Sequence, residues 1–363
     1  FECFAIFGFE DPHTKNSILR RQNVLMFLMH FVAFMVMFLQ TEEKKMLGFY
    51  GMQVILFIAI LVLYHLIYPK VSRLVVNNMC MLLTIGFIMI TRLSYELAVK
   101  QFIIATAALI ISLFIPVIIR KVKALSEWRK FYAIAGIVML AIVIVGGRVT
   151  GGAMLAIKIG GFTLQTSELV KIIFVFFVAC MLYENTDLKH VCIATVLAAV
   201  HVLILVLSRD LGGALIFFVT YLVMLYVATK KPLYFLAGLG AGSVAAVIGY
   251  HLFAHVRVRV LAWTDPFSVI DKEGYQITQS LFAVGTGHWL GMGLNQGMPG
   301  KIPVVEQDFI FSAISEEFGG IFAICLILIC MSCFIMFINI AMQIKNVFYK
   351  YTALGLGTLY GFQ

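Results

Sequence analysis

Ten long apolar runs recur along this chain, near residues 22–40, 46–68, 74–91, 101–119, 131–147, 169–184, 190–207, 211–229, 233–254 and 310–341, and an eleventh opens near 351. Crossing the hydrocarbon core of a bilayer takes about 20 such residues in a helix. In lipid each backbone N–H and C=O must find a partner within the protein, so runs of this kind are expected to be helices. The sequence therefore predicts an all-α polytopic membrane protein, a bundle of 10–11 transmembrane helices. Composition removes the soluble alternatives. Of 363 residues 62% are hydrophobic and 12% charged, whereas soluble chains carry about 45–50% apolar and about 25% charged residues.

The net charge of +9 does not point to nucleic acid, because the basic residues sit in short clusters between apolar runs. One alternating set of connections holds Lys15, Arg20, Arg21, Lys70, Arg73, Arg120, Lys121, Lys123, Arg129, Lys130, Lys189, Lys230, Lys231, Lys345 and Lys350. The other short connections hold only Lys44, Lys45, Arg92, Lys100, Arg148, Lys158, Lys171 and Arg209. Loops rich in Lys and Arg stay in the cytoplasm, which places the start of the chain inside and, by parity, the long 255–308 connection outside. The Cys330-x-x-Cys333 pair lies in a helical run without a second ligand pair, so no zinc or redox role is expected. The chain starts at Phe1 and stops at Gln363 within an apolar segment, and both ends read as cut.

Long connections in compact proteins are usually functional, and 255–308 is the long loop here. Within it, Tyr275–Val284 is expected to form a short amphipathic helix, followed by the glycine-rich run Gly285–Gly293. Trp263, Tyr275 and the His288-Trp289 pair suit an interfacial aromatic belt. Ionisable residues inside or at the lip of spans are costly and are functional candidates. Here they gather on the outer side: Arg92 with Glu96, Glu168 with Lys171, Arg209 with Asp210, then Glu306, Asp308, Glu316 and Glu317. Structural ion pairing and a polar cavity both remain open as explanations. Asp308 is either an N-cap of the helix that follows or a general base, and Glu306 is open to the same catalytic role.

Several ordered motifs resemble the SEDS proteins (FtsW, RodA and SpoVE), the polytopic peptidoglycan glycosyltransferases of bacteria. Gly160-Gly161-Phe162-Thr163-Leu164-Gln165-Thr166-Ser167-Glu168-Leu169-Val170-Lys171 resembles G-G-F-x-x-Q-P-S-E-x-x-K, and Asp210-Leu211-Gly212-Gly213-Ala214 resembles D-L-G-T-A. Asp265-Pro266-Phe267 and Gly274-Tyr275-Gln276-Ile277-Thr278-Gln279-Ser280 resemble D-P-x and G-Y-Q-x-x-Q-S. Asp308-Phe309-Ile310-Phe311 with Glu316-Glu317 resembles D-F-I-F…E-E. The chain departs from the family at Thr166, at Ser208-Arg209, at Met154–Ile157 and at Pro303–Asp308, where the family's loop Glu is displaced or lost.

The resemblance implies two domains of sequence, an N-terminal segment with two additional helices (1–73) and a SEDS-like core (74–363). It implies polymerisation of lipid II on the outer face of the bacterial cytoplasmic membrane, with Asp308 as base. Arg209, Lys301, Arg257, Arg259 or a divalent cation, Mn or Mg, would stabilise the leaving pyrophosphate; no metal-ligand set is visible in the sequence. Glu168, Lys171, Asp210 and Arg92 would shape the substrate cavity. A class B penicillin-binding protein is the implied partner. The family's last motif would lie beyond Gln363, so the fragment is expected to lack its last helices and to be inactive alone. A lipid-linked precursor flippase and an inactive scaffold for a partner synthase stay open, the latter because of the altered motifs at 154–157 and 303–307. An ion-coupled transporter would show inverted repeats, which the sequence does not.

Overall fold

A computed structural model describes residues 2–146, 148–150, 153–159 and 162–363. Gly160 and Gly161 of the first motif lie outside the described residues. In chain order the elements are α1 (Glu2–Gly8), α2 (Pro12–Thr41), α3 (Lys44–Ile67), α4 (Arg73–Leu93), α5 (Tyr95–Lys121), α6 (Arg129–Gly146), strands β1 (Arg148–Thr150), β2 (Ala153–Ile159) and β3 (Phe162–Gln165), α7 (Thr166–Glu184), α8 (Leu188–Leu207), α9 (Leu211–Thr229), α10 (Pro232–Leu252), α11 (Ala254–Thr264), α12 (Tyr275–Gly287), α13 (Ile310–Gln343) and α14 (Val347–Phe362).

Among the described residues nine helices, α2–α5, α7–α10 and α13, are long and apolar enough to cross a membrane. The other two expected spans are occupied by α6 and α14. The fold is thus the helical membrane bundle that the apolar runs predict. The expected outer loop after α6 carries the three strands, which pair antiparallel in the order β1-β2-β3.

Local chemistry sets the helix ends. Asp11 accepts from the Thr14 hydroxyl and the Thr14 amide (2.7 and 2.8 Å), and Pro12 follows at the first helical position. The Thr14 hydroxyl, then its amide, hold the Asp11 carboxyl below the usual range. As a result α2 begins ten residues before its expected apolar run, and its basic first turns precede the hydrocarbon-length stretch. Asn346 caps α14 through the Tyr349 amide.

The chain divides into two compact units, residues 1–117 with 248–333, and residues 118–247 with 334–363. In the first, α4 is the central helix and packs with α2 and α3; Phe57, Cys80 and Phe87 are fully buried there. Its polar side chains bond one another rather than lipid. His30 Nε2 meets Gln53 Oε1 at 2.9 Å, and Asn77 Nδ2 donates to Gln22 Oε1 at 3.1 Å. In the second unit α7 is central, with α6, α8, α9 and α14 around it. Phe174 and Phe217 meet there with ring centroids 4.7 Å apart. Gly238 and Gly242 of α10 face Leu222 and Phe218 of α9, and a Cβ at either glycine would fall within 2.5 Å of those side chains. Small residues at such points let membrane helices approach closely.

Candidate functional site

The connection between α10 and α13 is folded, and its motif residues are what fold it. Asp265 Oδ1 accepts from the Ser268 amide at 3.3 Å and caps a short turn at Pro266–Val269. Gly274 sits where a Cβ would come 2.3 Å from the Pro266 carbonyl oxygen, so only glycine lets α12 start there. Along α12, Gln276 donates to the Pro303 carbonyl, the buried Thr278 to the Pro266 carbonyl, and Ser280 shares a hydrogen bond with Ser312 of α13. On the same face as Gln276 and Ser280, Ala283 joins a core with Ile85, Met89, Ile302, Val305, Ala313 and Ile314. The expected amphipathic helix is therefore present and docked.

The glycine-rich run that follows repairs a break in α13. Gly319 has φ 87° and ψ 168°, which interrupts the helix and frees backbone groups on both sides. Met292 and Gly293 donate their amides to the carbonyls of Glu316 and Glu317 (both 2.9 Å). In return the amides of Gly320 and Ile321 reach the carbonyls of His288 and Trp289 (2.8 and 3.2 Å). Non-helical backbone at this depth is tolerated only when its polar groups are paired in this way. The fit is close: a Cβ on Gly287 would lie 2.0 Å from the Ser315 carbonyl oxygen, and Gly291, at φ 81°, lies against Glu317 and Phe318. Trp289 and Leu290 at the tip are 66% and 83% exposed, as a membrane-interface anchor would be.

Arg92 closes this region from α4. Its Nε lies 3.0 Å from Glu317 Oε1, and its Nη2 donates to the Gly297 carbonyl at 3.2 Å. The Glu317 side chain is fully buried. Glu316 Oε1 accepts from the Met298 amide at 2.9 Å. The spacing of Arg92 and Glu96 suggested a pair on one helix, and the structure corrects this. The chain turns extended at Ser94 (φ −159°), so Glu96 opens α5 and Arg92 finds its partner elsewhere.

Asp308 stands apart from these ties. It lies in the turn before α13, exposed, and its carboxylate makes no hydrogen bond or ion pair with the described residues; its amide donates to the Val304 carbonyl. It is not an N-cap, since α13 starts at Ile310. Glu306, half-buried, and Lys301, exposed, lie on the same connection without pairing with it. Arg257 donates to the His251 carbonyl.

In the second unit Lys171, buried, bonds Glu168 at 2.8 Å across one helical turn, and Glu168 also accepts from Gln363. Asp210 is the N-cap of α9 and accepts from the Gly213 amide at 2.8 Å. Arg209 is exposed at φ 64°, a left-handed position. Among the described residues no three His, Cys, Asp or Glu side chains gather as a cation cage. Magnesium-type ions are often held by one or two carboxylates together with substrate phosphates, and the unpaired Asp308 is a donor of that kind. Sequence reasoning passed over the Gly319 break and the Gly297 carbonyl; the Gly319-Gly320 pair within an apolar run was the available signal.

Fold and charges together define a polytopic helical membrane protein with a folded, polar connection between two of its spans. The FtsW/RodA/SpoVE cell cycle protein family matches residues 72–363, and the chain belongs to that family. The peptidoglycan glycosyltransferase RodA of Mycobacterium leprae is 28% identical over 321 residues, covering 81% of this chain and 69% of that protein. Against further mycobacterial relatives of the same name the chain spans 55% of their length. Among solved structures, the rod shape determining protein RodA of Thermus thermophilus superposes with a TM-score of 0.57 at 20% identity, covering 81% of this chain and 83% of that one. A chain from a peptidoglycan synthase complex, described as coordinating polymerization and crosslinking, gives 0.55 at 20% identity, with 85% and 83% covered.

Proposed function

We propose that this protein is a peptidoglycan glycosyltransferase that polymerises lipid II at the outer face of the bacterial cytoplasmic membrane. The acceptor's GlcNAc 4-hydroxyl attacks the anomeric carbon of the donor's MurNAc, the glycosidic bond forms, and undecaprenyl pyrophosphate leaves. Asp308 takes the hydroxyl proton. The observation that carries this role is its exposed carboxylate, without a hydrogen bond or ion pair to the described residues, on a connection where Asp265, Gln276, Thr278 and Ser280 are engaged in holding the fold. A general base has to reach the proton it removes, and a carboxylate engaged in a cap or ion pair would first have to leave its partner.

The names of the mycobacterial relatives support the reaction class. The synthase-complex likeness supports a class B penicillin-binding protein as partner. Lys301, Arg257, Arg259 and Arg209 are exposed cations of the kind that oppose charge on a departing pyrophosphate. A divalent cation, Mn or Mg, would supply the same charge stabilisation when bound to the substrate's phosphates. The pairs Arg92–Glu317 and Glu168–Lys171, in which Glu317 and Lys171 are the buried partners, hold helix ends in place.

The test uses the complete gene product with its cognate penicillin-binding partner, labelled lipid II and Mn²⁺ or Mg²⁺. Glycan polymer from wild type and none from a folded Asp308→Asn variant is the expected result. Polymer from both removes Asp308 as the base. Lipid II transfer across vesicle membranes without polymer would instead indicate a flippase, and neither activity an inactive scaffold.

A further inference from the structure

The first unit holds a second feature, outside the connection described above. The start of α2, the end of α3 and the start of α4 enclose a pocket of about 300 Å³. Its wall is apolar, with Leu61, Val62 and Leu66 of α3 and Val76 of α4, while Arg20 and Arg73 stand at its rim. Among the described residues no carboxylate forms an ion pair with either arginine. The Arg73 guanidinium meets Asn16 Oδ1 at 3.2 Å and the His65 ring nitrogens at 3.2 and 3.4 Å. The ion pairs that described residues of this unit form belong to Arg21, Lys45 and Arg92. Most of the pocket precedes residue 72, where the family match begins.

Two uncompensated guanidiniums above an apolar slot describe an amphipathic anion. Guanidinium forks bind phosphate oxygens in pairs, and basic pockets between membrane helices on the cytoplasmic side take anionic lipid headgroups. The charge distribution puts these helix ends on that side. We propose that this pocket binds one anionic glycerophospholipid, its phosphate between Arg20 and Arg73 and its acyl chain along Leu61, Val62 and Leu66. The apolar wall favours a lipid over a free phosphate. The site is independent of the proposed catalysis, so the failure of either reading leaves the other standing.

The full chain, purified in mild detergent, would be exposed to equal amounts of phosphatidylglycerol and phosphatidylcholine with the same acyl chains. Retained lipid is then read by native mass spectrometry. Phosphatidylglycerol should be retained selectively. Arg20→Gln should weaken it about fivefold, and Arg20→Gln with Arg73→Gln about thirtyfold. Arg120→Gln with Lys121→Gln, a basic pair outside the pocket, should leave retention unchanged. Val62→Trp should fill the slot and expel the lipid with both guanidiniums intact. Equal retention of the two lipids, wild-type retention by the double arginine variant, or displacement by soluble glycerol phosphate overturns the proposal. Should the double arginine variant fail to fold, unchanged retention in Val62→Trp overturns it alone.

Discussion

Arg92 and Glu317 are 225 residues apart in sequence and 3.0 Å apart in space. Burying a charge is tolerable only beside its partner, so the two should be tested together. Arg92→Ala alone leaves a buried carboxylate without compensation and should cost about 3–5 kcal/mol. Combining it with Glu317→Gln should recover much of that loss, and thermal unfolding in detergent measures both. The sequence marked each residue as a charge in the membrane but offered Arg92 the wrong neighbour. An i, i+4 argument assumes one unbroken helix, and the extended backbone at Ser94 ends α4 first. Asp308 shows the opposite case. Its position in the D-F-I-F motif was legible, but whether its carboxylate capped a helix or stood free was a question of hydrogen-bond geometry.

At the scale of elements, the broken α13 and the glycine run form one device. The break leaves carbonyls and amides without helical partners, and residues 288–293 satisfy them. Gly291→Ala and Gly319→Ala each place a side chain at φ above 80°, where the strained backbone alone costs about 1–3 kcal/mol. Each new Cβ would also meet backbone atoms at 2.3 Å, so the full loss should be larger. Gly285→Ala is the matched control: it lies on α12 with nothing within 4 Å, and should be neutral or stabilise by about 0.5–1 kcal/mol. Melting temperatures of the three variants separate the two groups. The α12 entry gives a further check. Gly274→Ala forces the Pro266 carbonyl aside, and limited proteolysis should then cut faster between residues 267 and 273. The sequence showed the glycine-rich run Gly285–Gly293, residues that allow close backbone approach. That the close approach is to the protein's own broken helix was not written there.

For the molecule as a whole, the bilayer decides how its surface is read. No residue of α10 is buried and only Ala98 and Ala105 of α5 are, while Ile103, Ile110, Ile111 and Phe114 stand exposed. In water such faces would mark aggregation or binding sites; in lipid they need no partner. Orientation is testable in a background without native cysteines. Lys45→Cys and Lys272→Cys should react with an impermeant maleimide in intact cells, and Lys121→Cys and Lys231→Cys only after permeabilisation. The reverse pattern would invert the topology and place Asp308 on the cytoplasmic side, away from the proposed chemistry.

The sequence by itself determined that the chain crosses a membrane, where its spans lie and which connection is long. These follow from runs of neighbouring residues, because lipid tests each helix for apolarity along its own length. It also supplied the motifs that link the chain to its family. Only the tertiary structure decided that Arg92 joins Glu317, that Gly319 breaks α13, that a glycine run closes the break, and that Asp308 is left unpaired. Those outcomes depend on distances between residues far apart in the chain, and hydropathy along a single helix carries no record of them.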